Sequence, residues 1–415
     1  MTAMTLSEEL QWRGFVNQTT LSDITELDKQ KFTFYWGVDP SAISMQIGNL
    51  AAAMMVRHFM KHGHKAYLLV GGATGLIGDP DGKSEERTLK SNEEIETNKK
   101  AIVGQYKQIF KDQHFEVVDN YDWFKDMGYL EFLRDIGKHV PMRQMLGRDF
   151  VETRLQEGGA GISYAEFSYV LIQGYDFLRL NQERGVNLQL CGSDQWGNSI
   201  AGVELIRRIA GNEAHIWTSP LILNKSTGKK FGKSEGGAVW LDETLTPKDQ
   251  FYQFWLNLDD EGIEDYLKIF TELDKPSITS LMADFNENRA SRLAQRRLAY
   301  EVTKIVHGEA AAQSAKEAAE KLFGQHDYTT FSAEDFAKLK LEVFTIGDNA
   351  PLINTLVKTG LASSNTEARR LLKEGAVYLN NVKISSDKNV IEAKDFVAGY
   401  VVIRKGKNTQ VVGKK

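Results

Sequence analysis

The chain has 415 residues, with 51 Lys and Arg against 56 Asp and Glu, 42% hydrophobic residues and one cysteine, Cys191. That length suggests about two to four domains, the composition excludes a disordered or fibrous chain, and one cysteine excludes an internal disulfide framework or a cysteine-rich zinc site. No apolar run approaches the roughly 18–20 residues that span a bilayer, and the first residues (MTAMTLSEELQWRG) carry acids where a signal peptide would be basic and then apolar, so a soluble, cytoplasmic protein is expected.

Lys31 to Val38 (KFTFYWGV) is rich in β-branched and aromatic residues and runs into Gly37-Val38-Asp39-Pro40, which reads as a strand entering a turn. Asn49 to His62 carries Leu50, Met54, Phe59 and Met60 at helical spacing and stops at Gly63. Lys65 to Gly71 (KAYLLVG) is apolar enough to be a strand buried on both faces. Strand, helix and strand with such short connections imply a parallel β-α-β unit, and hence an α/β fold with a doubly wound parallel sheet. Ser163-Tyr164-Ala165-Glu166 has capping-box spacing and should open a helix to about Asn181; Val186 to Leu190 reads as a later strand. From Thr246 to Phe323 helical signals dominate, residues 325–350 are less regular and read as a linker, and Asn380-Asn381 between alternating residues signals a hairpin. Residues 351–415 hold 12 Lys and Arg against 5 Asp and Glu, a small basic module on an otherwise acidic chain. Such a module suits a polyanion, although a solvated face has the same composition.

Two glycine-rich segments invite a phosphate-binding reading. Gly71 to Ser84 (GGATGLIGDPDGKS) follows a strand, but Ile77 stands where a Walker A loop needs glycine, and Gly72, Gly75 and Gly78 miss the dinucleotide fingerprint. A structural turn and a ligand-binding loop are evenly matched for it. Gly228 to Gly237 (GKKFGKSEGG) sets lysines among glycines, which can close on a phosphate chain but more often form a solvated loop. His58 and His62 lie one helical turn apart with no carboxylate or thiol at ligand spacing, so no protein metal site is expected and a solvated helix end is the simpler reading. Cys191 is expected in the core, since no base partner is legible.

Together, Tyr35-Trp36-Gly37-Val38-Asp39-Pro40-Ser41, GGATGLIGDP at 71–80, Tyr169-x-x-x-Gln173-x-x-Asp176, Gly192-Ser193-Asp194-Gln195-Trp196-Gly197 and Lys230-Phe231-Gly232-Lys233-Ser234 resemble the bacterial-type tyrosyl-tRNA synthetases over nearly the whole chain. The resemblance implies a Rossmann-like catalytic domain with a dimer-interface insertion over 1–223, a signature-loop and helical anticodon-recognition domain over 224–324, a linker over 325–350, and a small basic α+β RNA-binding domain, like one in a ribosomal protein, over 351–415. It implies L-tyrosine, ATP with Mg²⁺ and tRNA(Tyr) as partners of a homodimer, and a ligase that makes tyrosyl-adenylate before charging the tRNA.

Carried over residue by residue, Tyr35 and Asp176 should bind the phenolic hydroxyl, Asp79, Tyr169 and Gln173 the α-amino group, and Gln195 the carboxylate. Asp39, Gly192 and Asp194 should contact adenosine, with Gly48 and Asn49 at the adenine side of the helix start. Ser41, Gln46, Lys230, Lys233 and Ser234 should hold the β- and γ-phosphates, supplemented by Lys83 and Arg87. Two departures stand out. The family's His-Ile-Gly-His is Gln46-Ile47-Gly48-Asn49, and a neutral Gln46 cannot become cationic, which weakens leaving-group stabilisation by about 1–2 kcal/mol. Trp36 stands where a smaller residue near the ribose is usual. The alternative they raise is a catalytically weakened, synthetase-like RNA-binding protein.

Overall fold

Two apolar segments, β2 (Thr33–Val38) and β3 (Lys65–Val70), are buried along most of their length, and a polar backbone in that position must find its hydrogen bonds in a sheet. In the computed structural model they pair in parallel, Tyr35 beside Tyr67 and Gly37 beside Leu69. The structure describes residues 4–80, 89–146, 149–156, 159, 161–234, 237–323, 328–339, 341–385, 387–406 and 409–415. With β1 (Gln18–Thr19), β4 (Phe115–Asp119), β5 (Leu188–Gly192) and β6 (His215–Ser219), the two strands build a sheet in the order β1-β6-β5-β2-β3-β4. It is parallel except for β1, which runs antiparallel to β6 at one edge.

Alternation along β2 shows why the sheet is covered twice. Tyr35 shares a core with residues of α4 (Tyr164–Arg184) and α5 (Trp196–Leu205), among them Phe177 and Leu205. Its neighbours point the other way: Phe34 meets Phe59 of α1 (Ile47–Lys61), and Trp36 meets Tyr106 of α3 (Asn92–Ile109) at a ring distance of 5.5 Å. Between β3 and α3 lies the short α2 (Gly72–Ile77), which begins directly after the strand. Most of the bulk of Trp36 is therefore packed into the core beneath the sheet, against Phe110 as well as Tyr106.

The expected elements are present with shifted ends. α1 begins at Ile47 rather than Asn49, because Asn49 serves as its capping side chain: its Oδ1 accepts the Gln46 N–H at 3.0 Å. α4 is capped by Ser163, whose hydroxyl accepts the Glu166 N–H at 3.3 Å, but Glu166 does not return the bond; its carboxylate pairs with Arg154 at 2.8 Å. The helix runs past Asn181 to Arg184 and ends at left-handed Gly185. The Val186 N–H bonds back to Leu180, so β5 starts two residues later than the apolar pattern suggests.

From Lys248 to His307 the described elements are helical: Lys248–Leu256, Ile263–Phe270, Lys275–Glu287 and Leu293–His307 around Phe251, Trp255 and Phe270, with one short 3₁₀ turn between the last two. Residues 1–312 form one compact unit and 313–415 another. In the second, Asn380 and Asn381 adopt positive φ and join Val377–Leu379 to Val382–Lys383, as their hairpin signature requires. The stretch 325–350 is not a plain linker. Val343–Thr345 is a strand parallel to Thr409–Lys414, and Tyr328, Phe336 and Leu339 bury against Val402 and Val412. Its apolar residues are spaced too irregularly to advertise a strand, and their partners lie some seventy residues away.

The solvated helix end expected at His58 is also corrected. His58 is 1% exposed, with Nδ1 3.2 Å from Glu9 Oε1, while His62 Nε2 lies 2.9 Å from Glu9 Oε2. Burial pushes the pKa of His58, His64 and His307 down to about 4. An unfolded histidine titrates near 6.5, so the unfolded chain binds protons first as pH falls, and stability drops between about 6.5 and 4. Urea unfolding at a series of pH values should show that decline, and His64→Gln should flatten its slope by about one proton.

Candidate active site

In an open parallel sheet, a crevice forms at the carboxyl ends of strands where the strand order reverses. Here β2 has β3 on one side and β5 on the other, and the segments leaving β2 and β5 are Asp39-Pro40-Ser41 and Ser193-Asp194-Gln195. A cavity of about 700 Å³ opens at that point. Tyr35, Asp39, Ser41, Gln46, Gly48, Asn49, Asp79, Tyr169, Gln173, Asp176, Gly192, Asp194, Gln195 and Lys230 all line it, so the structure gathers these candidates, drawn from segments up to two hundred residues apart, around one space. Lys83 and Arg87 lie outside the described residues, as do the side chains of Lys233 and Ser234, whose backbone forms a short strand.

The deep end is polar and buried. Asp176 is 2% exposed and accepts Trp123 Nε1 at 2.9 Å and Asn120 Nδ2 at 3.1 Å. Burial nevertheless raises its pKa well above the usual carboxylate range, since two neutral donors do not replace water around a charge. Tyr35 is fully buried, its pKa raised by burial and by nearby Asp176, and its hydroxyl has no partner among the described residues. A buried hydroxyl without a partner costs about 1–3 kcal/mol, so this end is built for a group that both donates and accepts.

The middle is a cluster of acids and amides. Tyr169 Oη donates to Asp39 Oδ2 at 2.7 Å, and Gln195 Nε2 donates to Asp79 Oδ2 at 2.7 Å. Gln195 Oε1 in turn accepts Asn198 Nδ2 at 2.9 Å, which fixes which end of the amide faces Asp79. Gln173 lies one turn after Tyr169 on α4 and lines the same wall.

The outer end is framed by α1 and the glycine-lysine loop. A Cβ on Gly48 would meet open space within 4 Å, whereas one on Gly192 would stand 2.5 Å from Asp194 Oδ1. The first glycine leaves room for a flat ligand over the helix start, and the second lets Asp194 fold against its own turn. Burial raises the pKa of Asp194 against the pull of Lys230. The loop is tied to the helix start by backbone: Val239 N–H bonds Gly232 at 2.9 Å and Ile47 N–H bonds Val239 at 3.2 Å. Phe231 is its anchor, seated among Phe254, Trp255, Tyr266 and Phe270, while Lys230 beside it is exposed. The loop is thus pinned at one ring and cationic at its rim.

Asn120, Trp123 and Thr74 were not legible as site residues. Asn120 and Trp123 follow β4 and reach Asp176, and Thr74 Oγ1 donates to Asp39 Oδ1 at 2.6 Å. The available signal was positional: polar residues just beyond the carboxyl end of a strand. Cys191 is buried in the cavity wall beside Ser199, its thiol pushed up to about 12 by burial, as a core cysteine should be. Among the described residues, no three His, Cys, Asp or Glu side chains come together as a metal ligand set.

Comparison with known proteins decides the family. The profile for "tRNA synthetases class I (W and Y)" matches residues 27–324. The chain belongs to that family. Residues 334–412 of this synthetase match the "Tyrosine--tRNA ligase SYY-like C-terminal domain". The chain is 42% identical to the Tyrosine--tRNA ligase of Staphylococcus epidermidis, over 98% of itself and 97% of the relative, and 41% identical to that of Geobacillus stearothermophilus, over 97% and 98%. Among solved structures, a C-terminally truncated Aspergillus nidulans mitochondrial tyrosyl-tRNA synthetase superposes with a TM-score of 0.70 at 29% identity, covering 77% of this chain and 95% of that one.

Removing the orphaned hydroxyl of this synthetase tests the strain at the deep end. Tyr35→Phe should stabilise the free protein by about 1 kcal/mol in urea unfolding, because the variant no longer buries an unpaired polar atom.

Proposed function

We propose that the cavity takes L-tyrosine at its deep end and ATP at its rim, the two meeting between the acid cluster and the lysine loop. The chain is a tyrosine–tRNA ligase: it activates tyrosine as tyrosyl-adenylate with release of pyrophosphate, then transfers the amino acid to the terminal adenosine of tRNA(Tyr). The observation that carries the substrate assignment is the buried, unpartnered Tyr35 hydroxyl close to the Asp176 carboxylate. A phenol supplies the missing donor and acceptor at once. Phenylalanine leaves both groups unpaired, a discrimination for which tyrosyl enzymes are themselves the standard example.

The remaining roles follow the charges. Asp79, Tyr169 and Gln173 surround the ammonium group, and Gln195 faces the carboxylate once its bond to Asp79 opens. Asp39, Gly192 and Asp194 take the adenosine, and Gly48 with Asn49 the base. Ser41, Gln46, Lys230, Lys233 and Ser234, with Lys83 and Arg87, hold the β- and γ-phosphates. The substrate carboxylate attacks the α-phosphorus, and the bond from that phosphorus to the bridging oxygen breaks. Both nucleophile and leaving group are already anionic, so the chain's task is alignment and neutralisation rather than proton transfer. Mg²⁺ enters with the nucleotide, held by phosphate oxygens and water. The acyl group then passes to the tRNA hydroxyl as AMP departs.

A homodimer is supported by Tyr129, Leu130, Met142, Leu146 and Leu155, which are exposed apolar side chains within one stretch of the insertion, while Met145 of the same stretch is buried. Cytoplasmic residence suits the substrates, and no described helix is long and apolar enough to cross a membrane. No observation favours the weakened, RNA-binding alternative.

Tyrosine-dependent exchange of labelled pyrophosphate into ATP tests the reading; no exchange at saturating tyrosine would sink it. In that assay Lys230→Ala should lower kcat about 10- to 100-fold with a smaller change in the KM for tyrosine, because the lysine acts on the departing phosphates. Gln46→His should raise kcat about 5- to 30-fold by restoring a group that can carry charge.

A further inference from the structure

A continuous line of buried and half-buried polar side chains joins the deep end of the cavity to its middle, and the proposed function leaves the centre of that line unused. Asn120 is fully buried, and its Oδ1 accepts the Ala73 N–H at 2.7 Å. Its amide nitrogen therefore faces the other way, with one hydrogen toward Asp176 Oδ2 at 3.1 Å and one toward Thr74 Oγ1 at 3.0 Å. Thr74 is 2% exposed; having accepted from Asn120, it gives its single proton to Asp39 Oδ1 at 2.6 Å. Asp39 Oδ2 accepts from Tyr169. The order Asp176–Asn120–Thr74–Asp39–Tyr169 thus has every donor direction set by its neighbour. Gly71 makes room for it, since a Cβ there would lie 2.2 Å from both Asp39 Oδ1 and Thr74 Oγ1.

We propose that Thr74 is a positioning residue that couples occupation of the phenol end to nucleotide binding at Asp39. The inference rests on the substrate assignment above. A phenol that donates to Asp176 draws on the same carboxylate that Asn120 serves, and linked hydrogen bonds polarise one another along a chain in a low-dielectric interior. Thr74 carries the change on to Asp39, because it both accepts from Asn120 and donates to Asp39. Binding at either end should then favour binding at the other by the same factor.

The test measures the dissociation constant of ATP by equilibrium dialysis, with and without saturating tyrosinol, an alcohol that fills the amino-acid site and cannot form adenylate. In the unaltered protein tyrosinol should tighten ATP binding several-fold. Thr74→Val keeps the shape of the side chain and removes the hydroxyl; it should abolish the tightening and weaken ATP binding about tenfold. Thr74→Ser should restore both, and Thr74→Ala repeats the deletion should the valine variant not fold. A helix-packing role alone would lower the melting temperature of the valine variant and leave the tyrosinol effect intact. The proposal is overturned by an unaltered protein without the tyrosinol effect, by a valine or alanine variant that keeps it, or by a serine variant that does not recover it. Failure of the substrate assignment is read separately, as absence of pyrophosphate exchange in the unaltered protein.

Discussion

A carboxylate buried at the bottom of a cavity imposes its needs on everything around it. Asp176 sits on α4 with its oxygens served by Trp123 and Asn120, both from the segment that follows β4. For those donors to arrive there, β4 must lie beside β3 and α4 must pack on the Tyr35 face of the sheet. The strand order is thus bound to the chemistry: a different neighbour for β3 would deliver other side chains to the acid. The cost of holding the charge out of water is visible in the raised pKa of Asp176. The free protein bears that cost.

Much of the catalytic sheet was readable from local pattern. The β-branched and aromatic residues of β2 foretold a strand, and the apolar continuity of β3 foretold one buried on both faces, because both signals reside within a few residues. The candidate residues converge on one cavity since they occupy the carboxyl ends of strands that the fold brings together at its reversal point. What escaped was non-local. Thr74, Asn120 and Trp123 are ordinary polar or aromatic residues until β4, α2 and α4 meet. Val343–Thr345 is a strand only because Thr409–Lys414 comes back to pair with it. His58 gave the pattern of a helix end and proved to be an interior residue because Glu9, from the first helix of the chain, reaches over it.

The two departures from the family pattern have different physical standing. Trp36 is accommodated by the core, where Tyr106 and Phe110 flank its ring. Both side chains line the cavity, but Gln46 is only half-buried there, and its backbone makes an isolated bridge with Trp240. The lysine loop is joined to the same stretch of backbone, through the Ile47 N–H bonded to Val239 and the Val239 N–H bonded to Gly232.

Phe231 has a mechanical meaning. Its ring is locked among four aromatic neighbours, and the next residue, Gly232, has φ +89°, a backbone state open chiefly to glycine. The strap is thus hung from a peg, and at Gly232 it is tied back to the start of α1, because the Gly232 carbonyl accepts the Val239 N–H and the Val239 carbonyl accepts the Ile47 N–H. The reach of Lys230 over the cavity is therefore set by where the ring is seated rather than by the length of the strap.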